Sequence, residues 1–231
     1  MAEFEPRVLG RASGQTAARA DIDEGLRAYM LRVYNYMAVG LAITGVVAYF
    51  AAASGLYIAI AQTPLIWVVM LAPLGMVFLL SARVHKMSTS GAQIAFWVFS
   101  ALMGLSLSYI FLAYTGTSIT RVFLVTAASF GALSLYGYTT SKDLSGWGSF
   151  LFMGLIGIIL ASIVNIFLAS SAMQFAISVI GVLVFAGLTA YDTQQIKEMY
   201  FEGDSQLVAG RKAIMGALRL YLDFINLFIM L

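Results

Sequence analysis

Residues 147–169 read WGSFLFMGLIGIILASIVNIFLA, 23 positions without a charged side chain. An α-helix needs about 20 predominantly apolar residues to cross the hydrocarbon core of a bilayer, so this stretch is long enough to span. In lipid a backbone must satisfy its own hydrogen bonds, which leaves only helices and closed barrels. The alternation of a barrel strand is absent here, so the stretch is a spanning helix.

The same pattern recurs on both sides. Before it lie Tyr34–Ala53, Pro64–Ala82, Gly91–Ala113 and Thr120–Tyr138; after it come Met173–Ile196 and Ala213–Leu231. The first of these follows too long a polar leader, and has too long a core, for a signal peptide. Seven spans result, joined by short connections such as Ser54-Gly55, Thr115-Gly116-Thr117 and Ser145-Gly146. The fold class expected is therefore an all-α integral membrane protein with residues 31–231 as one seven-helix domain. Residues 1–30 are polar, hold Arg7, Arg11, Arg19 and Arg27 without an apolar period, and are expected to form a flexible cytoplasmic tail.

The totals agree with this class. Hydrophobic residues make up 61% of the 231, charged residues 10%, and the mean hydropathy is +0.90; an average soluble domain is about one quarter charged. A net charge of +2 gives no reason to expect nucleic acid as a partner. With no cysteine and His85 as the only histidine, neither a disulfide nor a usual zinc site can be built, and no cofactor is expected.

Lysine and arginine set the orientation. Eleven of them fall in or beside the tail and the second, fourth and sixth connections, against Arg121 alone on the other side. The N-terminus is therefore expected in the cytoplasm, in a bacterial-type inner membrane, with the seventh helix running outward.

Charges within apolar runs are costly and mark function by default. Asp192 sits near the cytoplasmic end of the sixth span and Asp223 about ten residues into the seventh. On an antiparallel pair both fall in the cytoplasmic half, one to two turns apart in depth. Thr189, Asp192 and Gln195 share one helix face, and Arg219, Asp223 and Asn226 share another. Two such polar stripes are best kept from lipid by facing each other. Two carboxylates held close in low dielectric do not readily both ionise, so the pair can share one proton. Losing it would make the pair repulsive and also an oxygen-rich, transient site that a hard divalent cation would favour.

The stretch LYLDFINLF at 220–228, preceded by AYDTQ at 190–194 one helix earlier, resembles the Bax inhibitor family, the transmembrane Bax inhibitor motif proteins. The resemblance runs from about Arg27 to Leu231. It implies six helices wrapped around a central C-terminal one and, for bacterial members, a pH-sensitive calcium leak. In that picture Asp192 and Asp223 are the pair that senses protons and gates the pore. It also implies an arginine at the cytoplasmic end of the second helix as the pair's partner, for which Arg83 is nearest, with Lys86 competing; Arg219, four residues from Asp223, is the other possible charge partner. Two features depart from the family: a short basic tail usually follows the seventh helix, and the acidic residue sometimes found in the second has no counterpart in Pro64–Ala82.

Two rival functions follow from the same residues. An intramembrane aspartyl protease also needs two aspartates on consecutive helices, but the glycine-x-glycine-aspartate turn expected there is Leu220-Tyr221-Leu222-Asp223 here. A non-conducting interaction protein, modulating a membrane protease or a stress or cell-death pathway through membrane-protein partners, would not need the aspartates to titrate.

Overall fold

The computed structural model describes the backbone of residues 6–231 and the side chains of residues 24–231. Among the described residues there are nine α-helices and no strand: α1 Pro6–Ala53, α2 Leu56–Ala61, α3 Leu65–Arg83, α4 Thr89–Ser106, α5 Tyr109–Ala113, α6 Gly116–Thr139, α7 Ser145–Leu168, α8 Ser171–Glu198 and α9 Gln206–Met230. Seven spans are long and apolar enough to cross a membrane, as the sequence predicts. Apart from α3, which starts at Leu65, the spans start earlier than the apolar runs. Ser88, Thr115, Ser170 and Ser205 cap α4, α6, α8 and α9 by accepting from the backbone N–H three residues on. The third span, Thr89–Ala113, is broken at Leu107–Ser108 into α4 and α5. There the buried Ser108 donates to the Gly104 carbonyl, and bonds of three-residue spacing carry the backbone across the break.

Only the inner edge of the expected tail, residues 24–30, has described side chains. Residues 1–5, and the side chains of 6–23, lie outside the described residues. Helix α1, Pro6–Ala53, passes residue 30 without a break. Tyr29 and Met30 are buried, with the Tyr29 ring 5.8 Å from that of Tyr200. Contacts to the α8–α9 connection thus hold a segment whose own sequence has no apolar period.

α9 is the core. Its residues Ala217, Leu218, Leu220, Tyr221, Asp223, Phe224, Ile225 and Leu227 are buried on nearly every side. Helices α1, α4, α6 and α8 pack against it, while α3 leans chiefly on α4 and α7 on α8. The six-around-one arrangement therefore has two tiers. The outer tier carries the largest apolar exposure, as in Trp67 and Phe78 of α3 and Phe150, Met153 and Phe167 of α7. Such residues suit a lipid solvent, where helix association rests on close packing instead of hydrophobic exclusion.

Close packing is set by particular glycines. A Cβ on Gly137 of α6 would overlap the carbonyl of Ala190 in α8, and one on Gly104 of α4 would lie 2.5 Å from the Thr44 carbonyl of α1. Gly40 and Gly154 meet Phe96 and Val184, whereas Gly45 and Gly157 have no neighbour within 4 Å. Across α1, α4 and α9, Tyr221 is fully buried with its ring edge-on to Phe96 and Phe99. Its hydroxyl lies 2.6 Å from that of Thr44, which itself points to the Gly40 and Ser100 carbonyls. Thr44 therefore spends its proton on a carbonyl and accepts from Tyr221. Thr44→Val should strand the tyrosine hydroxyl and cost about 1–2 kcal/mol. Thermal unfolding in detergent measures this. Adding Tyr221→Phe to Thr44→Val should recover most of the loss, and equal loss in both proteins would show that the hydrogen bond contributes nothing.

Candidate functional site

The site grows from the antiparallel α8–α9 contact. Ile196 lies against Gly216 and Met230 against Gly181, a register that sets Asp192 level with about Arg219–Leu220. Asp223 is then one turn deeper, and the side chains close the difference. Both carboxyls thus belong to the α8–α9 contact, Asp192 on one helix and Asp223 on the other. Their surroundings differ. Asp223 is 5% exposed, and its Oδ2 meets no donor among the described residues. Asp192, with a side chain 17% exposed, faces Arg219, whose Nη1 is 3.9 Å from its Oδ1. Arg219 is itself about half exposed. A buried carboxylate oxygen with no donor is expensive.

Other expected residues sit elsewhere. Arg83 and Lys86 are exposed at the end of α3, in the outer tier, and neither makes an ion pair with an aspartate. Arg219 is the cation that the fold brings to the pair. Thr189 is buried and donates to the Phe185 carbonyl, Asn226 donates to the Leu222 carbonyl, and Gln195 donates to Glu198. Thr189 and Asn226 thus spend their donors within their own helices, Gln195 spends its donor on α8, and none of the three hydrogen-bonds to an aspartate.

The residues that do support α8 are ones that the pattern of charges does not single out. Gln194, next to the expected Gln195, accepts from the Leu144 N–H and donates to the Lys142 carbonyl, both at 2.8 Å. It fastens α8 to the α6–α7 connection. Thr193 donates to the Thr189 carbonyl at 2.7 Å, so Ser134 of α6 must donate to Thr193, and Tyr34 of α1 to Ser134, at 2.9 and 2.6 Å. This chain of hydroxyls ties three helices together one residue from Asp192. The only signal for it in the sequence is the four-residue spacing of Thr189 and Thr193. Among the described residues no group of three or more His, Asp or Glu converges, so the aspartates offer a two-carboxylate site.

Comparison with known proteins gives a consistent result. Residues 26–231 match the family described as "Inhibitor of apoptosis-promoting Bax1". An uncharacterized protein of Rickettsia prowazekii is 51% identical, over 94% of this chain and 92% of its own. The inner membrane protein YbhL of Escherichia coli is 50% identical, over 90% of each chain. An uncharacterized protein of Caulobacter vibrioides is 47% identical, over 95% and 93%.

Proposed function

Since the chain belongs to the Bax inhibitor family of membrane proteins, we propose that it is a pH-gated cation leak, with calcium as the permeant ion and the Asp192–Asp223 pair as the gate. The observation that carries this reading is the asymmetry of the pair: one carboxyl is buried without a donor, and the other is tied to a half-exposed arginine. With one proton shared, the carboxyls bond α8 to α9. As pH rises the proton leaves, and two like charges face each other in low dielectric with a single cation, Arg219, beside Asp192. The helices then part where Asp223 is enclosed. The four carboxylate oxygens so exposed suit a hard divalent cation, which takes six to eight oxygen ligands. Two carboxylates cannot complete that shell, so the ion is coordinated in passing and released.

The sign follows directly: flux rises with pH. YbhL is named an inner membrane protein, and we place this chain in the same membrane with its N-terminus and its cluster of lysines and arginines in the cytoplasm. The protease alternative needs an opened backbone beside the aspartates, whereas α9 runs unbroken from Gln206 to Met230 through Asp223.

The test uses protein in liposomes with a trapped calcium dye, compared across external pH with Asp192→Asn and Asp223→Asn. Wild type should admit calcium faster as pH rises, and either substitution should abolish that dependence. Absence of flux above empty liposomes at every pH, from folded protein, would leave the non-conducting interaction protein as the better reading.

A further inference from the structure

Between α1 and α6 the bundle opens sideways into a cleft of about 500 Å³ that the aspartate site does not use. Its walls are Met30, Met37 and Ala38 on α1 and Phe130, Gly131 and Leu135 on α6. The hydroxyl bond between Tyr34 and Ser134 closes its floor. Leu31 and Leu135, both more than half exposed, stand at its open side among the apolar faces of the spans. The cleft is therefore continuous with the lipid around the protein.

Its ends differ. One end is apolar, at Met37, Ala38 and Phe130. The other carries Arg27 and Tyr138, and Lys197 lies against the Tyr138 ring and donates to the Tyr138 carbonyl at 2.8 Å. Glu24, three residues before Arg27, is the acidic group nearest in sequence among the described side chains, and it does not line the cleft. From Arg27 to Ala38 the helix rises about 16 Å, half of a hydrocarbon core about 30 Å thick. The cleft thus has the depth of one leaflet, an apolar interior of pocket size, and a cation, Arg27, at the end where a headgroup would sit.

We propose that this cleft is a binding site for one anionic phospholipid, with an acyl chain along α1 and α6 and the phosphate at Arg27. The charge at one end and the one-leaflet depth together select this occupant over a helix of a partner protein, which would need a groove crossing both leaflets.

Gly131 makes the site testable, because a Cβ there meets nothing within 4 Å. A larger side chain fills the cleft without striking the fold. The measurement is native mass spectrometry of the full chain, released from detergent micelles doped with phosphatidylglycerol or phosphatidylcholine of identical chains. Wild type should retain one phosphatidylglycerol in preference to phosphatidylcholine. Arg27→Gln should cut that preference about fivefold, the contribution of one basic residue near an anionic surface. Gly131→Leu should remove the bound lipid while leaving the thermal unfolding temperature unchanged. Ala38→Leu, on the opposite wall at an exposed position, gives the same readout should Gly131→Leu fail to fold. Equal retention of the two lipids by wild type, or a preference that survives both the charge and the filling substitutions, overturns the proposal.

Discussion

Gly137→Leu should prevent the native bundle from closing. Even a Cβ at this position overlaps the Ala190 carbonyl, and a backbone atom inside a helix cannot rotate away as a side chain can. The α6–α8 contact would have to separate, which would also break the Ser134–Thr193 bond at 2.9 Å. Overpacking in a close contact costs typically 1–3 kcal/mol, occasionally more, and the lost hydrogen bond adds about 0.6 kcal/mol in a membrane setting. We expect a loss of about 3 kcal/mol or more, seen as a large fall in the unfolding temperature or as aggregated protein on size exclusion. Gly45→Leu is the control: a Cβ at Gly45 meets nothing within 4 Å, so that variant should unfold near the wild-type temperature. Similar behaviour of the two variants would mean that α6 and α8 do not approach as closely as described.

Arg219→Gln should raise the pH at which calcium flux reaches half its maximum. The guanidinium lies 3.9 Å from Asp192 and favours its ionised form. Without it the shared proton is held to higher pH, so opening is delayed. The half-exposed position of Arg219 screens the effect and keeps the shift modest. Arg83→Gln, at the exposed end of α3, should leave the midpoint in place. The reverse result, a shift from Arg83 and none from Arg219, would restore the partner that family resemblance implies and would show that the pair works in a different packing from this one.

Some of this was legible in the sequence for a clear reason. A charge in an apolar run is rare because it is costly, so Asp192 and Asp223 stand out from any window that contains them, and seven runs of spanning length leave one fold class. What could not be read is which face of each helix meets which neighbour. In α7 nearly every position is apolar, so periodicity carries no direction; Gly154 is packed against Val184 while Gly157 faces open space. The choice between Arg83 and Arg219 likewise depends on α3 lying in the outer tier, which its composition does not encode. The break at Leu107–Ser108 lies within a run of spanning length, Gly91–Ala113, and it is stabilised by the Ser108 bond to Gly104 that only the folded chain displays. Gln194 and Gln195 differ in role solely by the 100° that separates adjacent helical positions.

The enclosure of α9 has a consequence for how the chain is made. The ribosome delivers α9 after the six spans that surround it, and α1, the first to emerge, is one of its main neighbours. At about 5–20 residues per second, the interval between them is on the order of ten seconds. During that time the nascent shell must keep a socket vacant, with Asp192 facing the place that Arg219 will take. α9 brings Arg219, Asp223 and Asn226 and is a poorer membrane segment than α7 when taken alone, so its insertion gains from a socket already lined with polar groups. A chain halted before Gln206 would be a ring without its axle, an obvious substrate for membrane quality control, and a pulse-chase of such a truncation should find it degraded faster than the full-length protein.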